Sequence, residues 1–235
     1  MKKLVLPALA AALLLAAPAA HAQTSSPRWG SVELGAGPYV PNIDSEFSGQ
    51  TPYRDVFGGK PSPMFRVHLA KSIFTRAGSL ELGIRTGFWS KSGHAIIAGG
   101  GPTAGQRSGD KTTFNIIPSS LTLTYRADQL WENVHIPVVP YGRVALERYN
   151  WWVTKDTKWG KRGATNGWSA TAGVAFILDF LDPEAARDLD NEAGVNHTAL
   201  YFDVTKSKVD DFGSKKSWNL TERKLAWSGG LMMIF

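Results

Sequence analysis

The sequence contains no cysteine. That absence excludes a disulfide framework, a cysteine-based zinc site, a thiolate nucleophile and a lipid anchor on an N-terminal cysteine. Past residue 20 there is no run of 18 apolar residues, so no transmembrane helix is expected in the body of the chain. No block of five or six like charges occurs, and the formal charge of +6 is spread along 235 residues, so nucleic acid is not an expected partner. Catalytic signatures are missing as well. Gly99-Gly100-Gly101-Pro102 lacks the Gly-Lys-Ser/Thr ending of a phosphate loop, and no G-x-S-x-G or H-E-x-x-H stretch is present. No cofactor or metal is expected.

What is present begins with a leader. Lys2 and Lys3 precede an apolar run from Leu4 to Ala20, and Ala20-His21-Ala22 offers small residues at a signal-peptidase site. Residues 1–22 are therefore expected to be a signal peptide, and 23–235 the mature chain with a charge of +4.

The mature chain counts in twos. Period-2 alternation recurs in eight segments, with limits near 29–40, 64–74, 79–90, 112–126, 134–149, 167–179, 197–209 and 223–235. In one of them Leu80, Leu82, Ile84 and Phe88 oppose Glu81, Gly83, Arg85 and Gly87; in another Leu121, Leu123 and Tyr125 oppose Thr122, Thr124 and Arg126. Several exceed the usual strand length and suit a tilted crossing of hydrocarbon, which needs about 9–11 residues. Lipid cannot satisfy an open sheet edge, so such strands must close. The expected fold is all-β: an eight-stranded antiparallel transmembrane up-and-down barrel in an outer membrane. Residues 41–63, 91–111, 150–166 and 210–222 read as four long outer loops; 75–78, 127–133 and 180–196 read as connectors on the other side. In the last, Asp182-Pro183-Glu184 starts a short helix near 183–190, with Gly194 as its stop. A calcium loop among the acids of this stretch fails on spacing.

The apolar faces are assigned outward. The inward faces then carry Glu33, Arg66, Glu81, Arg85, Arg126, Arg143, Glu147 and Asp203, with Lys224 added at the last strand. Such charges are costly against lipid and tolerable in a narrow, paired interior. They are expected to plug the lumen as salt bridges, with small residues such as Gly35, Gly83 and Gly173 leaving room for the arginines. The nine tryptophans suit two aromatic belts. Trp29, Trp131, Trp227 and Phe235 are placed at the inner rim; Trp89, Trp151, Trp152 and Trp168 are placed at the outer rim. The terminal Phe235 on an amphipathic strand reads as the signal taken by the outer-membrane insertion machinery.

Several stretches, taken together, carry a resemblance. They are Arg28-Trp29-Gly30-Ser31-Val32-Glu33-Leu34, Asn42-Ile43-Asp44-Ser45-Glu46-Phe47, Thr51-Pro52-Tyr53-Arg54-Asp55-Val56-Phe57-Gly58, Pro137-Val138-Val139-Pro140-Tyr141 and Gly194-Val195-Asn196-His197-Thr198. The chain from Trp29 to Phe235 resembles a family of outer-membrane β-barrel proteins found mainly in myxobacteria and related deltaproteobacteria. The resemblance implies location and architecture and lends no catalytic residue. It draws attention to Asp190, Glu192, Asn196 and His197, a polar cluster expected to lock the turn beneath the barrel or to meet a periplasmic partner.

The function expected from all this is structural, or surface interaction through the loops. A narrow pore is the second reading. A lipid-modifying enzyme is the third, although His68, His94, His135 and His197 form no evident Ser–His–acid set. Outer-membrane lipid and lipopolysaccharide are the expected neighbours, with a surface or periplasmic protein partner left unidentified.

Overall fold

The computed structural model describes residues 26–97, 105–155, 158–214 and 216–235; the leader expected at 1–22 lies outside them. Eight strands form one closed antiparallel ring in chain order. They are β1 (Gly30–Tyr39), β2 (Ser62–Phe74), β3 (Ser79–Ile96), β4 (Arg107–Arg126), β5 (Val138–Lys155), β6 (Lys158–Ile177), β7 (His197–Lys208) and β8 (Ala226–Ile234). The ring closes where β8 pairs with β1, Leu231 opposite Leu34. Beyond the ladder, the Phe235 amide donates to Gly30 O at 2.9 Å and the Trp29 amide donates to Phe235 O at 2.7 Å.

The register fixes the tilt. The Ser72 amide donates to Trp29 O, and from Ser72 the partners run through Glu81, Thr124, Arg143, Thr171 and Thr205 to Ala226. Continuing the β8–β1 register brings Ala226 opposite Tyr39, ten residues along β1 from Trp29. That stagger goes with strands inclined at about 35–45° and an interior just wide enough for side chains. The prolines within strands do not disturb it: Pro38 sits opposite Pro63, Pro118 opposite Tyr149 and Pro140 opposite Val174. Between β3 and β4 the ladder passes from Thr86–Ser119 to Trp89–Ile116 in unchanged register. Pro118, which lacks an N–H, lies in that gap.

Alternation places the side chains as the sequence pattern requires. Phe65, Ile84, Leu121, Val144 and Leu146 are exposed on the outside, while Glu81, Arg126, Arg143 and Asp203 are buried within. Strand limits depart from expectation at the loop end. The stretches 91–111 and 150–166, read as loops, are largely strand: β3 and β4 continue to Ile96 and Arg107, and β5 and β6 to Lys155 and Lys158. Cross-strand hydroxyls hold this extension, as in the Ser92–Thr113 pair at 2.9 Å. In 41–63 a 3-10 turn (Ile43–Glu46) and helix α1 (Pro52–Phe57) fold over the opening. Residues 127–133 are not a bare turn: helix α2 (Gln129–Val134) occupies them and delays β5 to Val138. Helix α3 (Pro183–Ala193) follows its sequence signals. The Ala185 amide donates to the Asp182 side chain at 3.0 Å, and Gly194 ends the helix with φ 68°. Lys224 precedes β8 and is exposed, so it is not an interior charge.

The interior is layered. At the end carrying the termini, Val139, Tyr141, Ala175, Ile177, Ala199, Tyr201, Met232 and Ile234 form an apolar floor. At the loop end an aromatic ceiling contains Tyr39, Trp89, Phe114, Tyr149 and Trp151, with Trp218 stacked on Trp151 at 4.2 Å. Trp89 and Trp151 therefore leave the proposed outer belt: they share strand parity with the interior charges, and Trp89 is 0% exposed. Trp227 is exposed, but it lies one residue into β8, opposite Val204, at the loop end rather than the terminal end. The interior glycines serve tyrosines more than arginines. A Cβ on Gly35 would fall 1.9 Å from Tyr201 Oη, and one on Gly173 would fall 2.5 Å from Tyr141 Cζ.

Truncating Trp89 to alanine removes the centre of the ceiling and is expected to cost about 3–5 kcal/mol in denaturant unfolding. Trp227→Ala, on the outer wall, is expected to cost less than half as much. Equal costs would contradict the placement of these two rings.

Candidate functional site

Between floor and ceiling lies a tier of charge, the most chemically loaded part of the chain. Glu33, Arg66, Glu81, Arg85, Arg126, Arg143, Glu147 and Asp203 lie on the inner side of the ring, whereas Lys224, assigned with them, does not. Arg126 donates through Nη2 to Glu81 Oε1 at 3.0 Å and through Nε to Asp128 Oδ1 at 2.7 Å. Ser31 and Ser72 donate to the two Glu81 oxygens at 2.8 and 3.3 Å. Arg85 donates to Glu147 Oε1 at 2.8 Å, and Ser169 donates to the same oxygen at 2.6 Å; Ser120 holds Oε2. Arg143 binds Glu33 through Nη2 and donates through Nε to Thr124 at 2.9 Å. Its Nη1 lies 4.0 Å from Asp203, whose oxygens accept from Tyr141 at 3.0 Å and Ser228 at 2.5 Å. His68 bridges Glu33, 3.1 Å away, and Thr122, 2.8 Å away.

Each carboxylate thus meets a guanidinium and at least one further polar side chain. Satisfaction of this kind lets buried ion pairs persist where stripped ones could not. Arg66 is different. It faces inward and is half-buried, yet among the described residues it makes no ion pair. It borders a small void together with Glu33, His68, Arg85, Arg143 and Asp203.

The cluster predicted near the turn after α3 divides in two. Asp190 accepts from the Ser26 amide at 3.3 Å, and Asn196 Nδ2 donates to Ser26 O at 2.8 Å and to Asp190 Oδ1 at 3.3 Å. These contacts tether the start of the described chain beneath the ring. His197 belongs elsewhere: its Nδ1 lies 2.6 Å from Asp179 Oδ2, and its ring meets Trp131 edge-on. Glu192 is exposed and joins neither group. Among the described residues, no three His, Asp or Glu side chains come together as metal ligands.

Two partners are invisible to strand alternation. Asp128 sits in a connector two residues past Arg126, outside any alternating segment, and a strand-end Arg-x-Asp is the one signal for it. Glu222, between β7 and β8, lies beside the ceiling. The Val40 amide donates to its Oε1 at 3.3 Å, while Oε2 is buried with no hydrogen-bond partner among the described residues. Burial pushes its carboxyl up to about 7.

These features define an antiparallel barrel of eight strands with an occluded lumen. No protein-family model matches the sequence, and no curated protein matches it. Among solved structures, Neisserial surface protein A shows 10% identity over 91% of this chain and 100% of its own, with a TM-score of 0.46. Ail, the attachment invasion locus protein of Yersinia pestis, solved in complex with the heparin analogue sucrose octasulfate, shows 10% identity over 87% of this chain and 95% of its own, with a TM-score of 0.36. At such values neither lends a residue role or an activity to this chain.

Two outcomes follow from the geometry. Arg85→Met leaves Glu147 as an uncompensated buried charge and is expected to cost about 3–5 kcal/mol in denaturant unfolding. Arg85→Met with Glu147→Leu is expected to cost less than Arg85→Met alone; an additive double variant would show that the pair is uncoupled. Glu222 supplies the pH test. Its folded-state pKa is raised, so the folded chain binds the extra proton between about 4.5 and 7, and stability present below that window falls as pH rises through it. Glu222→Gln is expected to remove this dependence and to gain most over wild type at pH 8. A gain of equal size at pH 5 and pH 8 would contradict the assignment.

Proposed function

We propose that the chain is an outer-membrane barrel with a non-enzymatic role in envelope structure or surface interaction. One observation carries the reading: the polarity of the fold is inverted. Ordinary soluble barrels bury apolar side chains and expose charge; here Leu146 and Phe65 are each 60% exposed and Ile84 59%, while Glu81 is 0% exposed. A continuous apolar outer wall of that kind is stable only against lipid. Closure of β8 on β1 leaves no ladder edge to satisfy within the hydrocarbon.

In this orientation the termini face the periplasm, and the extended β3–β4 and β5–β6 hairpins project from the cell. Residues 90–115 and 148–166 carry eight Lys or Arg against two Asp, a balance suited to the phosphates of lipopolysaccharide. Insertion would use the barrel insertion machinery, as for other closed sheets of this membrane. Among the described residues the floor, the paired charges and the ceiling leave no continuous channel through the ring, which favours interaction over conduction.

Fractionation of cells expressing the full chain is expected to recover the protein with outer-membrane lipid, folded as a species that shifts on heating in gel electrophoresis. Reconstitution into planar bilayers is expected to give no discrete channels. Reproducible unitary conductance would overturn the occluded reading, and recovery in the soluble periplasm would overturn the location.

A further inference from the structure

The outer wall holds a cleft of about 660 Å³ running from β2 across β3, β4 and β5 to β6, roofed by Phe212 from the connector between β7 and β8. Two neighbouring ladder rows build it. The lower row, Leu69–Ile84–Leu121–Leu146, is wholly apolar. The next outward-facing row toward the loop end, Val67–Thr86–Ser119–Arg148–Asn166, is apolar at Val67 and polar at its other four positions. On β5 the outward face thus passes from Leu146 to Arg148 in one step, and a cation stands directly above the apolar row.

Arg148 is exposed on the outer wall, and its guanidinium donates through Nη1 to Asn166 Oδ1 at 3.0 Å. No carboxylate forms an ion pair with it among the described residues. Asn166 is engaged on its other side, donating to Asp211 Oδ1 at 2.9 Å. That bond anchors the turn presenting Phe212. Asp211 and Phe212 both hold positive φ, 55° and 56°, and Phe212 remains 65% exposed. A bulky aromatic held in the left-handed region and left uncovered is strain spent on placing a ring, here as the second wall of the cleft. Further up the same two strands, Trp152 stands opposite Arg162.

We propose that this cleft binds a phosphorylated glycolipid of the surrounding leaflet. An acyl chain would lie along the Leu69–Leu146 row, a phosphate on the open face of the Arg148 guanidinium, and sugar toward Trp152 and Arg162. The assignment rests on the outer-membrane reading above and names the site at which that leaflet is held. An exposed guanidinium at the hydrocarbon edge that, among the described residues, is in ion-pair contact with no carboxylate, the nearest acid Asp211 being held off by Asn166, has a free face for an anion. The apolar row directly beneath it calls for that anion to carry a chain.

Purified mature protein in dodecyl-maltoside micelles would be offered lipid A, lipid A stripped of its phosphates, or phosphatidylglycerol, and retained lipid read by native mass spectrometry. Wild type is expected to retain lipid A about tenfold better than the stripped form, the scale of one charge-assisted contact. Arg148→Gln is expected to lose that preference, whereas Lys71→Gln, an outward cation near the terminal end of β2, keeps it. Phe212→Ser serves as a second variant, away from the strands, and is expected to lower retention of lipid A. The site is refuted if Arg148→Gln retains lipid A as wild type does, if the stripped lipid binds equally well, or if phosphatidylglycerol is held as tightly. The location is judged separately: a protein found in the outer membrane whose Arg148 variant still holds lipid A loses only the site.

Discussion

A ring of eight tilted strands encloses too little space for water-filled bulk, so every inward side chain must find its partner in another inward side chain. That restriction organises the molecule. Glu81 is shared between a guanidinium and two serines, Glu147 likewise, and Asp203 takes a tyrosine, a serine and the more distant Arg143. Charges drawn from strands far apart in sequence become mutual cross-braces: Arg143 and Glu33, or Arg126 and Glu81. The residues that brace the wall are the same ones that block its passage, so occlusion here follows from stability and needs no separate plug domain.

The two apolar tiers explain why the charged middle survives. Floor and ceiling exclude water from both ends, which strengthens the paired contacts and penalises unpaired ones. The margin of this arrangement shows where pairing is incomplete. Arg66 and Glu222 both sit on the loop side of the tier, and among the described residues the carboxyl of Glu222 lacks a donor for one oxygen. The interior is therefore most responsive to its surroundings at the mouth and least responsive beside Glu81 and Arg126.

Much of this is legible in the amino-acid order, because a strand's period of two assigns each side chain to a face whatever its neighbours are. Glu33, Arg85, Glu147 and Asp203 fall inward on that rule alone, and helix α3 follows from Asp182, Pro183 and Gly194. What the pattern does not convey is height along the axis and identity of partner. Trp89 and Trp151 obey the same parity as the charges, yet their ring type suggests a belt. Trp227 lies at the opposite end from the one expected because β8 runs from the loops toward Phe235 and Trp227 stands at its start. His197 is close to Asp190 in sequence, whereas the fold gives it to Asp179. Polar composition also conceals the hairpin extensions, since exposed strands rich in Ser, Thr and Lys read like loops.

Those extensions leave half of the ring taller than the rest, which would normally create two bare strand edges. Both are dressed. Along β3 the turn around Val56 and Phe57 presses so close to Gly93 that a Cβ there would fall 2.0 Å from Val56 O, and Lys91 is tied to Lys60 O. Along β6, Ser217 meets Thr165 at 2.6 Å and Ala164 O at 2.9 Å. Where they are covered, at Lys91 and Gly93 on one flank and at Ala164 and Thr165 on the other, the edges of this raised palisade offer no open backbone to a passing polypeptide. Strand addition is thereby closed off along those stretches, and a partner that meets them above the bilayer must be recognised by side chains.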